Sequence, residues 1–465
     1  MVEADWQDLI RKKFNDPPTA EERREYFGDS LLKKWNLEFE NRCWDSPQYA
    51  EISFHTLFGQ IPSVKDKRII YDNNVSDMRV HLMLFQRSGT GKGRGYNFVI
   101  EMANLLNLVC FSADAMTDAV LLGSFIHEEG QREPTRIRGV LDPLRIPHVS
   151  IFIQNEATLI IDSKKTDFSK DFMNYFQKAM NTIDTPDNLI EKTTLQMRGQ
   201  IIRLQPSASF LFTTYIPERL LEVITKTGYL QRMISLYNNV SFDKRQESWE
   251  TLANVTGLRS EGENYIPDII DALNYIQDYY RRPENTVTMS IETNEACRNV
   301  MRQIYKPLLN VNEAMREHLG DFVPRTYENV IKLAYHHAMC RLSSTVDIVD
   351  VGYALKIIRP AWTRMITYME ESDIIVAGTL KKWEKFKKDA YRVYNMVLVE
   401  QEKAGKEVDG WVKRETMVKV LSSRQLGWGK TKQTTRTRLN KLTEDLKYFE
   451  ESKVNNVKCL KKKEA

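Results

Sequence analysis

Short apolar runs alternate with amphipathic stretches along the middle of the chain. Runs that stay apolar over consecutive positions are typical of strands buried on both faces of a parallel sheet. Four such runs are predicted as strands: VHLMLF at residues 80–85, NLVCFSA at 107–113, VSIFI at 149–153 and SFLFTTY at 209–215. A helix predicted from about residue 94 to 106 separates the first two, so the pattern indicates strand–helix–strand units.

Helical patterns predominate from about residue 265 onward, and a Lys-rich helix leads into a short linker, AGKEVDG. We therefore predict an α/β fold, in which a parallel sheet with helices is followed by a helical region and a C-terminal winged-helix domain. Five parts are expected: a helical extension (1–50), an αβ core (51–265), a helical lid-like region (266–372), a helical linker (373–408) and a winged-helix module (409–465).

The winged-helix prediction rests on two helices followed by two strands. The elements are helices over residues 411–423 and 431–446, and strands over 447–451 and 454–460, with a turn at Ser452 and Lys453. A basic second helix suits a DNA groove. Its basic residues are Lys432, Arg436, Arg438 and Lys441. A protein-binding winged helix has the same pattern, so both kinds of partner remain open.

The composition is that of a globular chain of 465 residues, with 42% apolar and 28% charged positions. No apolar run approaches the roughly 20 residues that span a bilayer, so no membrane partner is expected. The five cysteines are scattered and form no CxxC pair. This pattern disfavours a zinc site or a disulfide framework and favours a reducing, cytoplasmic compartment.

Charge is unevenly distributed along the chain. Residues 381–465 contain 23 Lys and Arg against 12 Asp and Glu, a net charge of +11, whereas the whole chain carries +4. Residues 1–380 therefore carry −7. A basic module on an acidic body suits a polyanion, most simply nucleic acid, although a tail that only aids solubility has the same composition.

A glycine-rich segment lies between the first predicted strand and the helix that follows it. Its residues are Ser88, Gly89, Thr90, Gly91, Lys92 and Gly93. Backbone N–H groups of such a loop, together with a helix N-terminus, bind phosphate oxygens, and Lys92 would reach the β and γ phosphates. We therefore predict ATP binding here; a glycine-rich turn that only joins the strand to the helix is the alternative. Gly93 stands where a Ser or Thr hydroxyl usually holds Mg²⁺.

A second polar site follows the strand at residues 149–153. A nucleotide hydrolase of this kind needs one acid near the metal and another that polarises the attacking water. Asn155 takes the first position and Glu156 the second. Glu156 is therefore the candidate general base, and Asn155 a weak candidate ligand of Mg²⁺. A surface glutamate that caps the next segment is the alternative.

The order of these motifs resembles that of AAA+ ATPases, and within them the minichromosome-maintenance (MCM) replicative helicases and related helicases of viruses and mobile elements. SGTGKG is similar to Walker A, IFIQNE to Walker B and SFLFTTY to the sensor-1 strand. GYLQRM, at residues 228–233, resembles an arginine-finger segment. The stretch at 323–358 resembles the sensor-2 region. The resemblance covers about residues 75–360 and implies an AAA+ P-loop domain that uses ATP and Mg²⁺.

The resemblance also implies roles for single residues. It assigns Thr213 or Thr214 to sensor 1, with Thr214 as the chosen candidate. It assigns Arg232 to the arginine finger and Arg325 to sensor 2. An arginine finger stabilises charge on a nucleotide bound by the adjacent subunit, so a homo-oligomer, expected as a hexameric ring, is implied. Ordinary surface arginines at these two positions are the alternative.

Two basic loops resemble the DNA-binding hairpins of MCM-type motors in their position along the chain. One holds Arg132, Arg136 and Arg138, and the other holds Arg198 and Arg203. Basic loops in a channel would bind DNA phosphates, of a single strand or a forked duplex, without reading sequence. Salt bridges within or between subunits are the alternative.

Three functions are consistent with these features. The first is an ATP-dependent DNA helicase or translocase that acts in replication of a virus or mobile element. The second is a nucleotide-gated initiator or loader ATPase with slow hydrolysis, which the substitutions at Gly93 and Asn155 favour. The third is a sequence-specific regulator that acts through the winged helix. This function does not account for the ATPase motifs.

Overall fold

Five parallel strands form the central sheet of the computed structural model. They are β3 (Leu82–Gln86), β4 (Val109–Ser112), β7 (Val149–Asn155), β10 (Ser209–Thr214) and β11 (Ile234–Asn238), numbered among all strands in chain order. Their order across the sheet is β11–β3–β10–β7–β4. Every residue of β3, β10 and β11 is buried, as the uninterrupted apolar runs predicted for the first two. The fifth strand was not predicted.

The structure describes residues 31–40, 47–72, 74–86, 92–112, 117–126, 134–155, 157, 170–194, 200–215, 228, 230–238, 246, 264–311, 316, 319–404, 410–422, 432–440, 442–443, 448–454 and 457–462. The chain divides into two compact units, residues 1–370 and 371–465. The predicted boundary at residue 372 lies inside a continuous helix, Ile348–Lys403. Within the described residues, no helix is both long and apolar enough to cross a bilayer.

Helices and small hairpins surround the sheet in the first unit. The helices are α1 (Leu31–Glu40), α2 (Pro47–Phe58), α3 (Pro62–Lys65), α4 (Lys92–Leu105), α5 (Asp118–Leu122), α6 (Lys170–Ala179), α7 (Ile266–Arg281), α8 (Ile291–Tyr305), α9 (Val323–Cys340) and α10 (Ile348–Lys403). Pro47 is the first residue of α2, where its fixed φ and missing N–H are tolerated.

Three antiparallel hairpins connect these elements. They are β1 (Arg68–Tyr71) with β2 (Asn74–Asp77), β5 (Gly123–Ile126) with β6 (Thr135–Arg138), and β8 (Ile190–Thr194) with β9 (Gln200–Leu204). The second and third occupy the two basic segments singled out in the sequence, so the hairpin conformation predicted there is confirmed. A two-residue parallel pair, β12 (Thr288–Met289) with β13 (Thr345–Val346), joins the helical part.

A fully buried arginine ties together the segments that enter the sheet. Arg79 forms a salt bridge with Asp77 at 2.9 Å, and both side chains are at most 1% exposed. Its guanidinium also donates to the backbone carbonyls of Ala179, Asn181, Pro206 and Ala208. Through these contacts Arg79 fixes the start of β3 against α6 and β10. Removal of either Arg79 or Asp77 would leave a buried charge unpaired and would be strongly destabilising.

The second unit is a small sheet with two helices and the end of α10. Its elements are β14 (Val412–Lys413), α11 (Arg414–Leu421), α12 (Lys432–Asn440), β15 (Phe449–Val454) and β16 (Val457–Lys462). The two helices followed by two strands match the prediction, whereas Val412 and Lys413, predicted to lie in the first helix, form strand β14 and pair with β16. The predicted turn at Ser452 and Lys453 was wrong, because both residues lie in β15 and pair with Cys459 and Lys458 of β16. The core contains Val418, Leu421, Leu439, Leu442 and Phe449.

Candidate nucleotide site and the opposite sheet edge

The strand order creates a crevice at the carboxyl edge of the sheet. The connection from β3 to β4 crosses β10 and β7 toward one side of the sheet. The connection from β10 to β11 crosses β3 toward the other side. Neighbouring parallel strands whose connections run in opposite directions open a crevice beyond their carboxyl ends, where ligands bind in open α/β sheets. β3 and β10 are such a pair, and the glycine-rich segment follows β3.

Lys92 lies at the start of α4, directly after this segment. Its side chain is buried, and its backbone carbonyl accepts a hydrogen bond of 3.4 Å from the hydroxyl of Tyr49. Gly95, in the first turn of α4, allows this approach, since a Cβ there would lie 2.2 Å from a ring carbon of Tyr49. The first turn of α4 is therefore held firmly against α2.

Polar side chains from neighbouring strands meet at the same edge. Asn155 ends β7 beside Thr213 of β10, and the Thr213 hydroxyl donates to Asn155 Oδ1 at 2.9 Å. The next residue, Thr214, pairs in register with Phe85 of β3. The Thr214 hydroxyl is fully buried and has no hydrogen-bond partner among the described residues. A buried hydroxyl left in this way favours a ligand or water at this position.

The ends of β3 and β11 are also joined by polar groups. The amide nitrogen of Asn238 donates to the Gln86 side-chain oxygen at 3.2 Å, and both residues are buried. Gln86 stands where the glycine-rich pattern usually has its first glycine. Its role here is therefore to bridge the two strands that flank the start of the loop, a contact that no local sequence pattern indicated.

Several predicted site residues lie outside the described residues. They are Ser88, Gly89, Thr90 and Gly91 of the glycine-rich segment, and Glu156, the candidate base. Of the predicted nucleotide site, the described part therefore consists of Lys92, Gly93, Asn155 and Thr214, which the sheet brings to one edge. No cluster of three or more His, Cys, Asp or Glu suited to a metal occurs among the residues that can be described.

Arg232 lies at the opposite, amino edge of the sheet, two residues before β11 begins. Its Nε donates to Asn181 Oδ1 and one terminal nitrogen donates to the Gly228 carbonyl, both at 2.6 Å. Burial, and next the positive charge of Arg325, lower the pKa of Arg232 to about 10. The guanidinium stays charged at neutral pH.

Arg325 belongs to the same edge through a chain of ion pairs. It donates to Glu328 Oε2 at 2.7 Å, and Glu328 Oε1 lies 3.2 Å from Lys332 Nζ. Burial alone would raise the pKa of Glu328, but Lys332 and Arg325 outweigh it and lower that pKa to about 2. The Ser76 hydroxyl donates to the same carboxylate. Glu328 thus holds Arg325 in place.

The two edges are separated by the length of the strands between them. Five residues of β11 span about 16 Å at 3.3 Å per residue. Arg232 and Arg325 therefore cannot contact a phosphate bound at Lys92 of their own chain. The structure brings the predicted residues together in two groups, Lys92, Asn155 and Thr214 at one edge and the two arginines at the other.

The described arginines of the hairpins are paired within the chain. Arg136 and Arg138 both donate to Asp142 Oδ2, at 2.7 and 3.2 Å. The side chain of Asp142 is 2% exposed, and those of the two arginines are 25% and 38% exposed. Arg203 forms an exposed ion pair with Glu191 across its hairpin at 2.6 Å. Arg132 and Arg198 lie outside the described residues.

The basic residues of α12 differ in their surroundings. Arg436 makes a two-point contact with Glu415, at 3.2 and 2.9 Å. The Arg438 guanidinium lies 4.8 Å from the ring centroid of Phe386. Lys432 is exposed, and Lys441 lies outside the described residues. The two arginines of this helix are therefore already engaged by groups of their own unit.

Comparison with known proteins adds no family to this picture. No family model matches the chain, and no curated protein matches it. The fold and the site are therefore interpreted from their own geometry.

Proposed function

We propose that the chain is a ring-forming, ATP-dependent DNA helicase or translocase of the AAA+ type, resembling MCM motors. It would act in the cytoplasm or nucleoid of a host, in DNA replication of a virus or mobile element. The observation that carries this proposal is the separation of two groups: Lys92 and Thr214 at the carboxyl edge of the sheet, and Arg232 and Arg325 at the amino edge.

Binding of ATP is supported by the carboxyl edge. Lys92 and the N-terminus of α4 supply positive charge for phosphates, and the buried Thr214 hydroxyl lies at the adjoining strand end. Mg²⁺, when bound, would neutralise charge on the phosphates. Asn155 Oδ1 is a protein oxygen that could coordinate Mg²⁺. Because Gly93 has no hydroxyl, phosphates and water would complete the coordination shell of the ion. Glu156 is proposed to orient the attacking water.

Assembly into a ring is supported by the amino edge. Because Arg232 and Arg325 cannot reach their own chain's nucleotide, a phosphate that they contact belongs to a neighbouring copy. Arg232 combines a charge with a rigid donor fork, which suits stabilisation of a phosphoryl group during transfer. Asn181 and Glu328 orient the two arginines, so this edge is organised before a neighbour arrives.

A DNA partner is supported by charge and by the hairpins. The basic second unit favours a polyanion, and the two hairpins carry the predicted basic positions Arg136, Arg138 and Arg203. These three arginines pair with Asp142 and Glu191, so phosphate contacts through them would require exchange of ion pairs. Arg132 and Arg198 belong to the same segments.

A second candidate function is a nucleotide-gated loader or initiator with slow hydrolysis. The observation that favours it is the Asn155–Thr213 hydrogen bond, which engages the Asn155 side-chain oxygen that is the candidate ligand of Mg²⁺. Gly93 removes a second ligand. In such a protein, ATP binding would build an assembly on DNA and hydrolysis would only reset it.

Strand displacement on a forked DNA substrate separates the two functions. A motor should displace the strand with DNA-stimulated ATP turnover, and both activities should fall to background in Glu156→Gln and Arg232→Ala. Melting curves of each variant serve as the folding control. ATP binding and assembly on DNA without any displacement would support the loader, and absence of both ATP and DNA binding would refute both functions.

A further inference from the structure

The end of α8 and the turn that follows it display apolar side chains to solvent. Met301 and Tyr305 lie four residues apart on the helix, and Leu309 lies four further on, in the short 3₁₀ helix Lys306–Asn310. Residues four apart on an α-helix share one face. The three side chains are 37, 42 and 55% exposed, in that order. We name Met301, Tyr305 and Leu309 the apolar ridge.

The residues that directly precede the members of the ridge are buried and hold it in place. Val300, Ile304 and Leu308 are at most 5% exposed. The indole N–H of Trp362 donates to the Ile304 carbonyl at 3.0 Å, which ties the end of α8 to α10. The core therefore occupies one face of this segment, and the apolar ridge lies on a neighbouring face that water reaches.

The turn that carries Leu309 is fixed by one arginine. The Arg316 guanidinium donates to the backbone carbonyls of Leu308, Leu309 and Val311, at 3.1, 3.1 and 3.3 Å. Carbonyls at the end of a helix have no intrahelical donor, so such a side chain satisfies them. Because the turn is ordered before a partner arrives, docking on it costs less conformational entropy than docking on a loose loop.

Basic side chains lie along the apolar ridge. Arg298, Arg302 and Lys306 follow the same four-residue spacing, and all three are exposed. Residues 298–310 contain these three basic residues and no acidic one, a charge of +3, although residues 1–380 together carry −7. A positive segment on an acidic body attracts negative groups to this place in particular.

The cations of this segment make long contacts that a partner can replace. Arg298 Nε lies 3.6 Å from an Asp72 oxygen, and the Arg298 side chain is 67% exposed. Arg302 donates to the side-chain oxygen of Asn299, a neutral group, at 3.4 Å. Exposed ion pairs of this kind contribute little to stability. A carboxylate of a partner would therefore compete with these contacts at little cost.

The combination of an apolar ridge and a basic flank specifies the chemistry of a partner. Met301 and Leu309 offer nothing to a phosphate, and Tyr305 is the one aromatic ring of the ridge on which a base could stack, so nucleic acid fits poorly. Helices pack by inserting rows of side chains at four-residue spacing into the groove of another helix. An amphipathic helix whose apolar stripe is flanked by Asp or Glu matches both the ridge and the charge.

We propose that the apolar ridge, together with Arg302 and Lys306, is a docking surface for an acidic amphipathic helix of another protein. The apolar stripe of that helix covers Tyr305 and Leu309, and its carboxylates pair with the two cations. The inference goes beyond the proposed function and does not rest on it, because it uses no residue of the candidate nucleotide site or of the amino edge.

Selection from a displayed peptide library on the full chain tests this surface. The library fixes leucines at helical spacing and varies the flanking positions among Glu, Gln and Lys. We expect glutamate to dominate the flanks of the selected peptides. A synthetic peptide of the selected sequence, titrated by fluorescence anisotropy, should lose affinity about tenfold for Tyr305→Ala/Leu309→Ser, since a few apolar residues carry most of the binding free energy of an interface.

Arg302→Glu/Lys306→Glu tests the charge. This variant should lose affinity for the glutamate peptide and gain affinity for the same peptide with lysines in place of glutamates, because the attraction is reversed. Tyr275→Ser replaces an exposed tyrosine of α7 and is the matched control, which should bind the glutamate peptide as the wild type does. Melting curves of each variant serve as the folding control.

Several results would overturn the inference. One is a selection that enriches lysine or no residue at the flanks, and another is equal affinity of Tyr305→Ala/Leu309→Ser and Tyr275→Ser for the glutamate peptide. Loss of DNA binding in Arg302→Glu/Lys306→Glu, with peptide binding unchanged, would assign the surface to nucleic acid instead. A smaller sedimentation coefficient for Tyr305→Ala/Leu309→Ser than for the wild type would assign the ridge to a contact between copies of this chain.

Discussion

Gly93 is the residue at which the candidate nucleotide site departs most clearly from a hydrolytic one. A Cβ at this position would meet Tyr96 at 3.6 Å, an ordinary contact, so a side chain is tolerated. We expect Gly93→Ser to supply a ligand for Mg²⁺ and to raise Mg²⁺-dependent ATP turnover on the order of tenfold. The measurement is turnover across a Mg²⁺ titration.

Gly93→Ala is the control for this substitution, because it adds the same Cβ without the hydroxyl. Equal rates in the alanine and serine variants would show that a hydroxyl here does not reach the metal. In that case the slow-hydrolysis interpretation of Gly93 loses its support.

Three histidines at the centre of the first unit are buried in their neutral form. His55 contacts His336 at 3.2 Å and the Tyr353 hydroxyl at 2.9 Å. Burial lowers the pKa of His336 to about 3, and burial is also the largest cause of the lowered pKa of His55. Burial also lowers the pKa of His81. His336 is fully buried in the core of the first unit.

These histidines make the free energy of unfolding depend on pH. The unfolded chain binds protons at histidine below about pH 6.5, whereas the folded chain does not, so stability is complete above that pH and falls as the pH is lowered. Each buried histidine costs about 1.4 kcal/mol per pH unit in this range. The melting temperature should therefore stay level from pH 7.5 to about pH 6.5 and then decrease steadily to pH 5 at constant salt, and a profile that is flat down to pH 5 would contradict the buried neutral state.

At the scale of elements, the packing of α2 on α4 positions the start of the candidate nucleotide site. A Cβ at Gly95 would lie 2.2 Å from the ring of Tyr49 and 2.9 Å from that of Phe39, and both rings are buried. Gly95→Ala should therefore destabilise the first unit by about 1–3 kcal/mol, as overpacked cores do. Thermal unfolding measures this, with Gly93→Ala as the unstrained neighbour. Equal melting temperatures for the two variants would mean that α2 and α4 do not pack so closely.

The β5–β6 and β8–β9 hairpins of the first unit are linked to one another. Lys192 of β8 forms a salt bridge with Asp118, the first residue of α5, which leads into β5. His148, after the β5–β6 hairpin, contacts the Ser207 hydroxyl, after β9, at 2.9 Å. The hairpins are therefore expected to move together rather than independently.

Hydrogen exchange tests this link directly. Lys192→Ala should raise amide exchange about two- to fivefold in the other hairpin, at residues 123–126 and 135–138, since a half-exposed ion pair contributes less than about 1 kcal/mol. Arg203→Ala removes an ion pair that stays within one hairpin and should leave the other unchanged. Identical amide exchange at residues 123–126 and 135–138 in the two variants would show that the two hairpins move independently.

The strands of the sheet were easier to predict than the contacts between them. Consecutive apolar positions identified β3, β7 and β10, because burial on both faces leaves a local pattern. They also identified β4, although it lies at the edge of the sheet and none of its residues is fully buried. Strand β11, ISLYN at Ile234–Asn238, contains two polar positions and was missed, although all of it is buried. Its polar Asn238 is satisfied by Gln86, a contact that depends on strand order and leaves no trace in either segment.

For the whole molecule, the charge pattern and the site motifs were visible in the sequence, but the ion pairs were not. Arg79 and Asp77 are two residues apart and show no motif, yet they organise segments more than 100 residues distant. The sequence likewise could not tell that Arg136 and Arg438 are engaged within their own units. Long-range pairing of this kind depends on the completed fold.

The central claim is that one copy binds the triphosphate through Lys92 while the next contributes Arg232. Mixing two inactive variants, Lys92→Ala and Arg232→Ala, tests it most directly, because each keeps the group that the other lacks. In mixed rings about one quarter of interfaces should combine both intact groups, so ATP turnover should recover to roughly a quarter of the wild-type rate. No recovery from mixtures that demonstrably co-assemble, or full activity in a monomer, would contradict the account.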